Sequence, residues 1–324
     1  MHNVLVTGGA GYIGSHAVKM LLDEGYNVIV IDNLSTGYQK AIDQSAKFYH
    51  LSTHNEDGVY EVLLKEKIDV VMHFAAFSLV GESVENPLKY YHNNVEGTRS
   101  LLAAMIRANI NAFIFSSTAA VYGIQETMPI TEEHPLMPTN PYGKTKRMIE
   151  ELLQDLNSSH PSFNYVSLRY FNVAGAYKDG SIGENHNPET HLIPNVIKSV
   201  LNNDKNLKVF GTDYPTKDGT AIRDYIHVED LIDAHIKALR YIEQHQQSNI
   251  FNLGSSEGYS VLDIIKTTES VLEKKVFYKN EARRAGDPPV LIASYHKAKE
   301  ILEWRPKRTL SEMIRSANDY FQSH

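Results

Sequence analysis

Val4-Leu5-Val6-Thr7-Gly8-Gly9-Ala10-Gly11-Tyr12-Ile13-Gly14 is the stretch whose reading decides the fold. A short apolar run ends in a cluster of glycines, and an amphipathic stretch over residues 15–24 follows. Gly25 punctuates that stretch, and Val28-Ile29-Val30-Ile31-Asp32 reads as a second strand. Strand, glycine turn, helix and strand then end in an acid. The glycines fit G-x-G-x-x-G at Gly9, Gly11 and Gly14, with Asp32 about 20 residues on. In this pattern glycines let the backbone approach a pyrophosphate, which sits on the helix N-terminus. Asp32 can accept from a ribose 2′-hydroxyl, and its charge repels a 2′-phosphate. The expected cofactor is therefore NAD rather than NADP.

The alternation continues outward. Lys47-Phe48-Tyr49-His50 is predicted as a third strand, residues 58–67 as a helix and residues 70–76 as a buried strand. A helix over 96–108 and a strand over 112–118 follow, the latter running into Ser116-Ser117-Thr118. A loop carrying Pro129, Pro135 and Pro138 leads to a further helix and to a strand over 166–171. Such alternation implies an α/β fold with a doubly wound (Rossmann), mostly parallel sheet. Ligands bind these sheets at the strand carboxyl ends, where Ser116-Ser117-Thr118 and Asn172 fall. Beyond Asn172 the pattern breaks into Gly/Asn/Pro-rich loops. This places an NAD-binding domain at 1–172 and a second, smaller α/β substrate domain at 173–324. Segments such as Ile250-Phe251-Asn252-Leu253 return to the main sheet. The cleft between the two parts is the expected binding site.

Asn140-Pro141 reads as a helix start, a side-chain cap followed by a proline in the first turn. Met148, Ile149, Leu152, Leu153 and Leu156 recur at helical spacing behind it. Residues four apart share a face, which sets Lys146 beside Tyr142. A fixed cation lowers a phenol's pKa from its ordinary value near ~10. The pair can then take a proton from an alcohol near neutral pH.

Composition sets outer bounds. Apolar residues at 42% and charged residues at 22% are ordinary for a globular protein. A net charge of −7 argues against nucleic acid or an anionic membrane as the main partner. The absence of cysteine excludes disulfides, thiolate zinc sites and a cysteine nucleophile. No apolar run approaches the ~18 residues of a membrane span, and no basic region precedes an apolar core at the start. A cytoplasmic protein is expected. No metal is expected either: His50-x-x-x-His54 falls at a strand end, and His73 reads as a satisfied core histidine. Glu132-Glu133 and Glu150-Glu151 read as solvated faces.

The order of glycine turn, strand-end hydroxyls and Tyr-x-x-x-Lys resembles the extended branch of the short-chain dehydrogenase/reductases. Further stretches are similar to the UDP-glucose (UDP-galactose) 4-epimerase family within that branch. They are Val80-Gly81-Glu82-Ser83-Val84, Tyr90-Tyr91-His92-Asn93-Asn94-Val95 and Leu168-Arg169-Tyr170-Phe171-Asn172. The runs 210–214 and 218–228, Arg283-Arg284-Ala285-Gly286-Asp287 and Trp304-Arg305-Pro306 extend the likeness over essentially the whole chain.

The resemblance implies a base, Tyr142, that takes the proton of a sugar 4-hydroxyl while NAD accepts the C4 hydride. Lys146 binds the nicotinamide ribose and lowers the Tyr142 pKa, and Thr118 bridges sugar oxygen and tyrosine. The 4-keto sugar turns over and the hydride returns to its other face, so NAD is held rather than consumed. By the same resemblance Gly8, Gly11, Tyr12, Ile13, Gly14, Asp32 and Asn33 bind the cofactor. Phe74, Ala75, Ala76, Asn93, Ser116 and Tyr170 join them. Asn172, His191, Leu192, Phe210, Arg223, Tyr225, Arg284 and Asp287 hold the UDP-hexose, with guanidinium forks for a diphosphate and a carboxylate for a diol.

Four positions depart from the family pattern: Leu51-Ser52 for Gly-Asp, Ser78 for a lysine, His191 for an asparagine and Leu291 for a bulky tyrosine. The last leaves room for an N-acetyl group, which brings UDP-GlcNAc and UDP-GalNAc into range. A homodimer through the Tyr142 helix and the helix over 96–108 is implied; Ala103, Ala104 and Ala108 allow close packing there but fit an intrachain core equally well. Two other readings stand beside the epimerase. One is another nucleotide-sugar enzyme of the branch, a dehydratase or decarboxylase, yet Ala119-Ala120-Val121 supplies no carboxylate pair after Thr118. The other is a non-catalytic NAD-sensing regulator, for which Tyr142, Lys146 and Thr118 would be superfluous.

Overall fold

The computed structural model of the chain describes residues 2–284 and 287–324. Its strands begin with β1 (Asn3–Thr7), β2 (Asn27–Asp32), β3 (Lys47–His50), β4 (Val70–His73), β5 (Ala112–Ser116) and β6 (Asn164–Tyr170). Then come β7 (Asn172–Ala174), β8 (Leu207–Phe210), β9 (Ile222–His227), β10 (Asn249–Leu253), β11 (Gly258–Ser260), β12 (Tyr278–Glu281) and β13 (Val290–Leu291). A seven-stranded sheet runs in the order β10-β6-β5-β4-β1-β2-β3. Every neighbouring pair in it is parallel. The order reverses between β1 and β4, the crevice where doubly wound folds take ligands.

Both faces of this sheet are buried, which is why its strands are apolar at successive residues. Val4, Val6, Val28, Val30 and Met72 enter one layer with the helices Tyr12–Asp23 and Val228–His245. Leu5, Ile29, Ile31, Val71, Phe113 and Phe115 enter the other. There they meet the helices Glu56–Lys65, Gly97–Arg107 and Pro141–Ser159. Each fully buried side chain of this size contributes roughly 1.5–3 kcal/mol.

Several boundaries differ from the sequence reading, and the following differences help shape the site. The first helix begins at Tyr12 rather than at residue 15, so the glycine turn itself supplies the helix N-terminus. β4 ends at His73 and β5 at Ser116, so Phe74, Ala75, Ala76, Ser117 and Thr118 leave the sheet as loops. Tyr91–Glu96 forms a π-helical turn between Pro87–Tyr90 and Gly97–Arg107. Such turns shift the register of the side chains that follow.

After β6 the chain builds separate small sheets. β9 pairs with β7, β11 and β13, and β8 pairs with β12. The helices Leu192–Leu201, Val261–Leu272 and Leu310–Ser323 enclose a second core around Ile193, Val196, Ile264 and Ile314. β10 returns beside β6, with Phe251 opposite Leu168.

Candidate active site

The glycine turn makes its shape from backbone. Gly8 has φ +76°, and a Cβ there would fall 2.5 Å from the Ala75 nitrogen. A Cβ at Gly14 would fall 2.1 Å from the Gly8 oxygen. At Gly11 a Cβ would meet only that oxygen, at 3.4 Å, so its outer side is open to a ligand. The helix that follows has no side-chain cap, and its first N–H groups remain available for an anion. Asp32 accepts from the backbone N–H of Ala10 at 2.9 Å and of Leu34 at 2.7 Å. A carboxylate has about four lone-pair sites, so about two remain for a ribose diol.

These residues open onto a cleft of about 560 Å³. It is lined by Gly8, Gly11, Asp32, Asn33, Phe74, Ala75, Ala76 and Asn93, and also by Leu51 and Ser52. The donor set fits a dinucleotide. The side chains of Tyr12 and Ile13 turn elsewhere. Tyr12 donates its hydroxyl to the Gly175 carbonyl at 2.6 Å, and Ile13 packs against the core.

Tyr142 opens the helix Pro141–Ser159, which Asn140 caps by accepting from the Gly143 N–H at 2.9 Å. Gly143 makes the approach to Thr118 possible. A Cβ there would fall 2.5 Å from the Ala120 carbonyl, in the short turn that Thr118 caps. Burial holds the Tyr142 phenol above its ordinary pKa, with the Thr118 hydroxyl acting in the opposite direction. Lys146 donates from Nζ to the Ser116 carbonyl at 2.7 Å and lies 4.8 Å from the centre of the Phe115 ring. Burial pushes its pKa down to about 7, against the pull of Glu150. Burial is the largest cause of the shift in both groups. Ser116 Oγ and the Tyr170 hydroxyl share a hydrogen bond of 2.5 Å. Ser116 therefore links Lys146, through its carbonyl, to Tyr170, through its hydroxyl.

Behind this trio lies a buried network that the sequence reading did not foresee. Glu150 is not solvated: it pairs with Arg169 at 2.5 Å, both side chains almost fully buried. Ser117 donates to it at 2.5 Å. Arg169 donates to the Tyr122 hydroxyl, which donates to Asn252 on β10. Asn94 was also missed. It accepts from the Phe77 N–H and donates to the Phe77 carbonyl and to Thr145. It thereby ties the end of the Phe74–Phe77 loop to the Tyr142 helix. His73 is hydrogen-bonded on both ring nitrogens, to Thr7 and Thr98.

The expected substrate residues gather around β9. Asn172 stands opposite Tyr225 and Leu291 opposite Arg223 in the sheet register. Arg223 donates to the carbonyls of Ile222 and Pro288 and lies 3.7 Å from Asp287. The Arg284 guanidinium lies over the Phe210 ring at 4.2 Å. Arg283, by contrast, is committed to Asp213. Ala285 and Gly286, within the 283–287 run, lie outside the described residues. His191 and Leu192 begin the helix Leu192–Leu201, where His191 is hydrogen-bonded to Glu184 and Leu192 packs on the second core.

Comparison with known proteins agrees with this geometry. The NAD dependent epimerase/dehydratase family model matches residues 4–254. The UDP-glucose 4-epimerase of Lactobacillus helveticus is 52% identical over 322 residues, covering 99% of this chain and 97% of that protein. A UDP-glucose 4-epimerase structure from Stenotrophomonas maltophila, with bound NAD and formylated UDP-arabinopyranose, superposes with TM-score 0.97 at 36% identity. That match covers 100% of this chain and 98% of the other. The UDP-Glc/GlcNAc 4-epimerase of Campylobacter jejuni superposes with TM-score 0.87 at 40% identity, covering 100% of both chains. The chain belongs to the NAD dependent epimerase/dehydratase family.

Proposed function

From that membership we propose that the chain interconverts UDP-glucose and UDP-galactose at C4 through a 4-keto sugar, keeping NAD between turnovers. The observation that carries this reading is the placement of Tyr142, Thr118 and Lys146 at the carboxyl end of β5, in a chain whose glycine turn opens a dinucleotide cleft. The glycine turn and Asp32 hold NAD, which when bound supplies a positive nicotinamide able to take a hydride from C4 and return it. Tyr142 takes the proton of the 4-hydroxyl and later gives it back. Thr118 orients that hydroxyl, and Lys146 is placed for the cofactor ribose. Arg223 and Arg284 take the diphosphate, and Asp287 the uridine ribose. Residues 1–172 serve the cofactor and 173–324 the UDP-sugar, the latter with strands lent back to the main sheet.

A second substrate class is favoured by Leu291. It packs partly buried against the cluster of Ala119, Val121 and Phe171, next in sequence to Thr118. A leucine there leaves space that a tyrosine would fill, and the likeness to the Campylobacter jejuni UDP-Glc/GlcNAc enzyme supports the same reading.

The protein acts as a homodimer in the cytoplasm. No described helix is long and apolar enough to cross a membrane. Val84, Leu88 and Met148 are exposed on helices that pack together, which supports a subunit contact there. Of the two places open to Ala104, it takes the core of its own chain, where it is fully buried.

The test is to incubate the purified protein, with no cofactor added, with UDP-glucose and separately with UDP-GlcNAc, following C4 epimers by proton NMR. Conversion of both is expected, with Leu291→Tyr losing UDP-GlcNAc turnover selectively. Tyr142→Phe should lose roughly 10²–10⁴ in rate while retaining NAD. Wild-type protein that converts neither sugar, with or without added NAD, would refute the proposal.

A further inference from the structure

Residues 184–191 carry the pattern Glu-x-His-x-x-Glu-x-His, and the fold closes it into one cluster. Ligand atoms from Glu184, His186, Glu189 and His191 all lie within 4.8 Å of one another. His186 Nδ1 is 2.9 Å from Glu184 Oε1 and 3.9 Å from Glu189 Oε1. His191 Nδ1 is hydrogen-bonded to that same Glu184 oxygen.

The two carboxylates lie inside and the two imidazoles close over them. The Glu184 and Glu189 side chains are only 4% and 7% exposed. Glu189 Oε1 accepts from the N–H groups of Thr190 and His191. Its other oxygen, Oε2, is buried with no hydrogen-bond partner, and the Lys198 ammonium stands 3.5 Å from it. A carboxylate oxygen removed from water without a donor is costly. Here that oxygen belongs to a cluster that already presents three other ligand groups.

We infer that Glu184, His186, Glu189 and His191 bind one divalent metal ion of the zinc class, bracing the loop that leads into the helix Leu192–Leu201. Imidazole with carboxylate suits zinc and its transition-metal neighbours better than magnesium or calcium. A tetrahedral ion with ligands at ~2.0–2.1 Å sets its ligand atoms about 3.3 Å apart. The His186 distances bracket that spacing. Four protein donors leave no open coordination position, so the role is structural. The brace also joins the two halves of the site. The His186 ring meets Tyr12 edge-on at 6.3 Å, and Tyr12 in turn holds the Gly175 carbonyl.

The experiment uses tag-free, full-length protein, stripped with EDTA and dialysed against cobalt(II). The expected result is one Co²⁺ per chain with the visible d–d absorption of a tetrahedral site. Zn²⁺ displaces it, and the melting temperature rises when either metal is added. His186→Ala should lose both the absorption and the metal-dependent rise in melting temperature. Should His186→Ala fail to fold, the near-isosteric Glu189→Gln makes the same comparison. A second, more exposed group, His54 with His92 and Glu96, also offers three ligand atoms, and His54→Ala should leave cobalt uptake unchanged. The inference is overturned by substoichiometric, colourless uptake, or by uptake that survives His186→Ala and Glu189→Gln.

Discussion

Around the cofactor cleft the shape is made by backbone. Gly8, Gly14 and Ala75 approach so closely that no Cβ fits between them, and Asp32 is held by two main-chain N–H groups. Around β9 the substrate side is made by side chains from distant segments. Phe210 meets Arg284 across a ring face, and Arg223 meets Asp287 across 3.7 Å. A partly exposed ion pair of that kind contributes ~0–1 kcal/mol. The cofactor cleft is therefore shaped by the backbone itself, whereas the groups around β9 are partly exposed side chains; under the proposed function these would tighten on the UDP-sugar. Damage to the first should be nearly all-or-none, and damage to the second should be graded.

The largest expected effect lies on the cofactor side. In Gly14→Ala the new methyl group must displace the Gly8 carbonyl, a backbone conflict in the range of ~3 kcal/mol or more. The purified variant should carry almost no NAD, read by chromatography of the nucleotide released on denaturation. A variant that keeps its NAD would break the contrast between the two clefts. On the other side, Arg284→Ala tests the proposed diphosphate contact, whose loss would cost roughly 1.5–3 kcal/mol. The KM for UDP-glucose should rise about 10–100-fold with NAD content unchanged. A fall in NAD content instead would show that the two halves are not separable.

A third effect concerns the junction between them. Burial takes the Lys146 pKa down to about 7, against ~10.4 in an unfolded chain. Between those values the unfolded state binds the proton and the folded state does not. Stability contributed by this group should therefore rise with pH from about 7 to about 10 and be flat below. Chemical unfolding of wild type and Lys146→Met across that window measures the difference, and the variant should lose this rise. Equal slopes would place the lysine in contact with water.

How much of this was legible in sequence follows the same division. The glycine turn, Asp32, the Asn140 cap and the Tyr142–Lys146 spacing are local patterns, and the structure displays each of them. The contacts that local patterns did not announce depend on distant partners. Glu150 beside the exposed Glu151 looks solvated until Arg169, on a separate strand, closes on it. Asn94 matters because it meets Phe77 and Thr145 at once. Tyr12 lies within the fingerprint, yet its ring turns to Gly175, which no local rule announces. The cluster at 184–191 was visible as alternating Glu and His, but of its four residues only His191 drew attention, as a substrate residue, and the rest lay in a stretch read as loop.

One measurement reaches the central claim most directly, that the C4 hydrogen leaves as hydride and returns within the same closed site. UDP-glucose deuterated at C4 is incubated in ordinary water with the purified protein and no added NAD, and the UDP-galactose formed is analysed by NMR. The account predicts product that retains its deuterium at C4. Exchange of that deuterium for solvent hydrogen would contradict it, as would the absence of any UDP-galactose even after NAD is supplied.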